Sequence, residues 1–460
     1  MKSAAPQRTT RTRMKTSAAV LVSAALLLAR AGAADAPPTA RAIALAREAA
    51  GEAEAKNFPA YLEKMQAAVE LRPDYPRLLV NLAAAHALND QPDAAVATLG
   101  RLADLGVHSP VEKSPAFAAL RERKDFKAAV ARLGDNLEPR GEADLAFRLP
   151  DTTGLIEGIA WRAKTGQFFF GDVHHRCVWV RRAPTAAETK AGTDIKAVRF
   201  TPEDSPLLGV FGLAIDEERG VLWAATSAIT AMAGYTEDQL GAAGVAEIDL
   251  ETGAVRRVAL VPADKRPHAI GDLVLGPDGT VWLPDSGATV LWRLAPGAEK
   301  PEAFVESPEF NSLQGAVVLP DASALLIADY PGGLLRIDLA TRAVSRLEPP
   351  PRTTLLGIDG LVRAPTGELI AVQNGIRPNR VVRLRLDPAG ENLLGLDVLE
   401  SAHLNMPSPS LGCLGPGGYF FLIGNANWPH FDDPGATATP PRPVPIFRTK
   451  IAAEPPKKKK

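Results

Sequence analysis

One phrase recurs along this chain and limits what it can fold into. Leu155–Asp172, LIEGIAWRAKTGQFFFGD, reads as two short strands joined by a turn at Lys164-Thr165-Gly166. The same pattern returns as FGLAIDEERGVLWAATS from Phe211, GDLVLGPDGTVWLPDSG from Gly271, LQGAVVLPDASALLIADY from Leu313 and IDGLVRAPTGELIAVQNG from Ile358. A worn copy, SLGCLGPGGYFFLIGN, starts at Ser410. The units recur at intervals of roughly 43 to 60 residues, the range in which repeats build propellers or solenoids.

More strand-like segments follow each opening pair: Cys177–Arg182, Gly244–Leu250 with Ala254–Leu260, Thr289–Leu294, Gly333–Leu339 with Ala343–Leu347, and Arg380–Leu386 with Gly395–Glu400. Four strands per unit and six units predict a six-bladed β-propeller. Asp144–Leu149 alternates before the first unit and has no hairpin partner there, whereas Val444–Lys450 alternates at the far end. Pairing the two in the last blade closes the ring and removes the open edge. The propeller is placed at residues 142–452.

At 460 residues the chain is too long for one ordinary core. Residues 40–136 are rich in Ala and Leu with helical periodicity. NFPAYLEKM from Asn57, QPDAAVATL from Gln91 and DFKAAVARL from Asp125 align at a spacing of 34, which resembles the tetratricopeptide repeat. Leu62, Val96 and Val130 fall in register there, as do Met65, Leu99 and Leu133. The fold class expected is therefore α+β multidomain: tetratricopeptide-like helical hairpins, then an all-β six-bladed propeller. Such hairpins either offer a concave surface to a peptide or protein partner or serve as a rigid spacer packed on the propeller. His86, on their packed face, reads as structural.

The N-terminus carries Arg8, Arg11, Arg13 and Lys15, an apolar run at Ala18–Leu28, and then ARAGAADA. Residues 1–35 thus read as a secretory signal, with an uncleaved anchor as the other reading. The mature chain is expected in the periplasm or secreted, with no further membrane span. A net charge of −1 offers no global field for nucleic acid or anionic lipid. No phosphate-binding loop or dinucleotide fingerprint occurs. The basic residues 453–460 form a solvated tail, and the Pro-rich stretch Asp432–Pro445 a long surface loop. Cys177 and Cys413 lie in units that a closed ring makes neighbours, but sequence cannot set the Cα spacing of a bridge, and two buried free thiols are expected.

In a propeller the residue just before each innermost strand points toward the central axis. That position holds Glu157, Phe211, Gly271, Gln314, Asp359 and Ser410, with Asp272 one place later in the third unit. Carboxylates converging in a funnel repel and raise one another's pKa unless compensated. A hard cation compensates them, and calcium takes carboxylate and amide oxygens in loose geometry. The loops after each second strand open on the same mouth. They contribute Asp172, His174, His175, Asp285, Asp329, Tyr330, Asn374, Asn425 and Asn427. His174 or His175 could act as a base at the rim or be loop histidines tied by hydrogen bonds.

These units resemble the senescence-marker-protein, gluconolactonase and luciferin-regenerating-enzyme family of six-bladed propellers. The resemblance rests on Glu157-Gly158, Asp359-Gly360, Gln314-Gly315 where the family has Asn-Gly, and Gly271-Asp272 where it has Asn-Asp. It implies one divalent metal held by Glu157, Gln314 and Asp359, and a substrate contact at the third unit, where the family Asn is missing. On that basis the chain is expected to hydrolyse a lactone or related ester, with the metal polarising the carbonyl and Asp272, His174 or His175 as candidate bases. Phe211, Ser410 and the loop residues named above would line the mouth. The competing expectation is a non-catalytic envelope scaffold with a degenerate funnel; Phe211, Gly271 and Gln314 favour it.

Overall fold

The structure, a computed structural model, describes residues 36–149, 154–432 and 442–451. The expected signal segment, the basic tail and residues 433–441 of the Pro-rich stretch lie outside the described residues. Among the described residues no helix is long and apolar enough to cross a membrane.

The N-terminal module is helical: α1 (Pro38–Glu54), α2 (Phe58–Leu71), α3 (Pro76–Leu88), α4 (Pro92–Asp104) and α5 (Lys124–Asp135), each packed on the next. Proline stands in the first turn of α1 through α4, where its missing N–H has no intrahelical partner to lose and its fixed φ already suits a helix. Met65, Leu99 and Leu133, one register position on α2, α4 and α5, are all buried. Leu62 is buried as well, while Val96 and Val130 stay half-buried. Arg72 is fully enclosed and grips Asp74 through Nε at 2.9 Å and Nη2 at 3.0 Å. That pairing keeps a buried guanidinium from being left uncompensated.

Six four-stranded antiparallel sheets follow in a ring. Five blades are continuous in sequence. The sixth combines Gly412–Leu414 and Tyr419–Ile423 with Val444–Lys450 and, on its outside, Asp144–Leu149. Asp144 lies opposite Arg448 and Leu149 opposite Val444, and Arg448 Nη2 reaches Asp144 at 2.8 Å. The ring therefore closes through both ends of the propeller, as expected from sequence. Blade one gains a short fourth strand, Val198–Arg199, and blade three gains Glu302–Glu306; neither had a legible apolar alternation. The outer turns reuse one device. Asp249 Oδ1 accepts from Thr252 N and Oγ1, both at 2.8 Å, and Asp338 does the same with Thr341.

Cys177 and Cys413 are both free thiols, one in the third strand of blade one and the other in the innermost strand of blade six. Burial pushes the Cys177 thiol up to about 12 and that of Cys413 higher still, so neither is a nucleophile near neutral pH.

Candidate functional site

The axial residues sit where the inner strands break their register. Ile156 pairs with Asp172 but Gly158 with Gly171, which leaves Glu157 as an extra residue. The same one-residue excess falls at Phe211-Gly212, Gln314-Gly315 and Asp359-Gly360. A bulge of this kind turns a side chain out of the alternation. Here it leaves the axial residue unpaired at the mouth end of its strand. The glycine that follows has a separate task. A Cβ on Gly158 would lie 1.9 Å from the Phe211 carbonyl oxygen, and one on Gly315 would lie 2.6 Å from that of Asp359. Each X-Gly pair thus takes one residue out of the ladder, and at Gly158 and Gly315 the missing side chain lets the next blade close in behind it.

Glu157 is buried, and its two carboxylate oxygens are taken separately: Ser410 Oγ donates to Oε2 and the Trp428 indole N–H to Oε1. Trp428 starts a short helix, Trp428–Asp432, in the connection between the Tyr419–Ile423 and Val444–Lys450 strands of blade six. Asp359 Oδ2 accepts from Asn374 Nδ2 at 2.7 Å, and the same amide nitrogen donates to the Pro409 carbonyl at 3.0 Å. Tyr330 OH donates to Asn374 Oδ1 at 3.0 Å, which fixes which end of the amide faces Asp359. Burial raises the Tyr330 phenol, and the charges of Asp359 and Glu157 add to it, so all three groups share one electrostatic neighbourhood.

Asp272 is open to solvent on one side and enclosed elsewhere. Desolvation pushes its carboxyl up to about 7, the Leu273 N–H at 2.8 Å opposes this, and the charge of Asp359 reinforces it. Asp359 is likewise raised by desolvation, with the Asn374 bond pulling the other way. Neither aspartate makes an ion pair with a described basic side chain. Gln314 Nε2 donates to Ser312 Oγ at 3.1 Å, which leaves Oε1 directed away from it. A Cβ built on Gly271 would stand 3.6 Å from that Oε1. The longer arm of Gln314 thus reaches the space left by the absent side chain of Gly271.

The loop residues divide. Asp172, Asp285 and Asp329 are expected at the mouth but are 0%, 0% and 1% exposed, and their oxygens are taken internally. Asp172 accepts from His175 N, His175 Nδ1 and Trp179 Nε1; Asp285 from His268, Ala269 N, Ala288 N and Trp292 Nε1; Asp329 from Asn311 and Ser312. They brace the blade ends instead of lining the funnel. His175 is held by Asp172 at 2.8 Å, and that bond raises its pKa. His174 Nδ1 lies 2.8 Å from the Ala231 carbonyl and its ring packs on Phe431. Both histidines are thereby tied to the rim of blades one and two. Phe211 is buried in the core, and Asn425 accepts from the Asn427 N–H at 3.3 Å.

Two groups escaped the sequence reading. Trp428 follows a strand end with no motif around it. His268, 2% exposed, is bonded at Nδ1 to Asp285 (2.6 Å) and at Nε2 to Asp264 (3.0 Å). Burial opposes its charge, but the two carboxylates outweigh burial and hold the imidazolium above its ordinary range.

A hard cation suits the donors in type, since every polar axial group presents oxygen. Among the described residues no three His, Cys, Asp or Glu side chains form a metal-ligand cluster. A cation here would therefore draw on the Gln314 carbonyl as well as Glu157 and Asp359.

No family model matches the chain, and no curated protein matches it. Among solved structures it is similar to regucalcin, a calcium-binding protein from Agrobacterium tumefaciens, at 16% identity and a TM-score of 0.45, over 66% of this chain and 93% of that one. It is also similar to the PQQ-bound aldose sugar dehydrogenase from Streptomyces coelicolor, at 12% identity and 0.44, over 67% and 98%. A catalytically inactive virginiamycin B lyase from Staphylococcus aureus, solved with quinupristin, matches at 13% and 0.41, over 66% and 99%. What each of these binds is a property of that protein; the fold of the present chain is a six-bladed propeller behind N-terminal helices.

Proposed function

We propose that the funnel takes up one hard divalent cation, calcium by donor preference, and that the chain hydrolyses a lactone or related ester there. The observation that carries this is the pair Asp272 and Asp359: two half-buried carboxyls beside each other, both raised, with no ion pair among the described residues to offset them. Sites of that kind are characteristically functional. Glu157, Gln314 Oε1 and Asp359 would hold the cation. When bound, it would supply polarisation of a carbonyl and a lowered pKa for water. Asp272 stands outside that set, raised to about 7 without a cation; a cation on Asp359 would lower it, leaving a carboxylate suited to act as general base. Asn374 and Tyr330 keep Asp359 oriented. Export through residues 1–35 and a peptide or protein partner for the helices belong to the same proposal.

The scaffold reading keeps one observation in its favour. Phe211 and Gly271 bring no polar side chain to the axis, and both oxygens of Glu157 are already engaged. A lactone panel run with calcium and with chelator separates the two. Turnover that chelator abolishes supports the hydrolase. Calcium binding without turnover of any lactone or ester leaves the scaffold.

A further inference from the structure

We infer that the helical module is part of the funnel's construction: through Arg380 and Ile376 it clamps the loop that orients Asp359. The inference rests on the reading of Asp359 as a site residue. Residues 374–379 join the second and third strands of blade five. At one end of this loop Asn374 donates to Asp359, and Gly375 N–H donates to the Gly357 carbonyl at 3.0 Å. At the other end the loop belongs to the helices. Ile376 packs into the helical core, and the His108 N–H donates to the Arg377 carbonyl at 2.7 Å.

Arg380 joins the two modules. It is 5% exposed, donates from Nε to Gln373 Oε1 at 3.0 Å, and from Nη1 to the Leu105 carbonyl at 3.2 Å, just beyond α4. Its Nη2 has no partner and it makes no ion pair among the described residues. Burying a guanidinium on two neutral acceptors is costly. What this geometry obtains is a rigid fork spanning helix end and strand. The seat is shaped for it: Gly106 has φ +70°, and a Cβ there would stand 2.9 Å from Arg380 Nη1. Arg380 is thus a positioning residue that acts through Gln373 and the loop on Asn374, and so on Asp359. A partner that shifts α4 would move the same loop.

The test uses the full chain with Arg380→Met, which keeps the stem and removes both donated bonds, and Ile376→Ala as a milder second variant. Native-state hydrogen exchange reads the His108 and Gly375 amides, and calcium titration reads the site. The expected result is that both amides exchange about tenfold faster together, and that the calcium midpoint rises about tenfold, the usual effect of losing an outer-shell support. Should His108 lose protection while Gly375 and the calcium midpoint keep wild-type values, the helices move independently of the site loop and the inference is wrong. If wild type shows no calcium response, the cation reading fails alone, and the amide pair still decides the clamp. If Arg380→Met does not fold, the same two amides in Ile376→Ala decide it: joint loss of protection supports the clamp, and loss at His108 alone overturns it.

Discussion

Replacing Asp272 with Asn should change how stability depends on pH more than it changes stability itself. The folded chain holds the Asp272 proton up to about 7, whereas an unfolded aspartate releases it near 3.9. Between those values the folded state binds the proton more tightly, so stability falls as pH rises through the window. The gap is about three pH units, and at ~1.4 kcal/mol per unit it sets a ceiling of about 4 kcal/mol. Water in the channel screens the open side of the carboxyl, so about 2 kcal/mol is the working expectation. For a propeller of this size that corresponds to roughly 4 °C in Tm. The assay is thermal unfolding in chelator at pH 5 and pH 8. Wild type should lose about 2.5 °C more than Asp272→Asn over that interval, since pH 5 already lies inside the window and samples about two of its three units. Saturating calcium should erase the difference, because a cation supplies the missing counter-charge. Parallel pH dependence in the two proteins would refute the picture of an uncompensated axial carboxyl.

Three further outcomes follow from the same geometry. Gly158→Ala places a methyl 1.9 Å from the Phe211 carbonyl oxygen and should cost about 3 kcal/mol in denaturant unfolding, since two blades must separate; a loss below about 1 kcal/mol would show that the blades are not so closely seated. Gln314→Ala removes the carbonyl and should weaken calcium binding about tenfold, with little change in Tm without calcium; unchanged affinity removes Gln314 from the ligand set. His268 has a raised folded pKa, so its pairing with Asp285 and Asp264 stabilises fully below about pH 6.5 and fades as pH climbs through the folded value. The stability gap between wild type and His268→Gln should therefore narrow from pH 6 to pH 9, and a gap independent of pH would mean the imidazole is neutral.

The blades were legible because their signal is local and repeated: alternation, a tight turn, alternation again. Ring closure was legible because two orphan strands stood at opposite ends with no nearer partner. The dipeptides Glu157-Gly158, Gln314-Gly315 and Asp359-Gly360 also stand out in the sequence, although the bulge at each is a property of pairing, which sequence does not display. The reading failed at Asp172, Asp285 and Asp329. A strand-end aspartate looks the same whether it faces a channel or braces its own loop, and only the donors around it, such as Trp179 and Trp292, decide. Trp428 and Arg380 were missed because each acts on a residue far along the chain: Glu157 in one case, the carbonyl of Leu105 in the other. Side chains that join distant segments leave no periodic trace.

Isothermal titration of chelator-stripped protein with calcium tests the central claim most directly. One site per chain in wild type, and none in Asp359→Ala, is what an oxygen-lined funnel built on Glu157, Gln314 and Asp359 requires. Absence of a stoichiometric site in wild type, or an undiminished one in the variant, would contradict it.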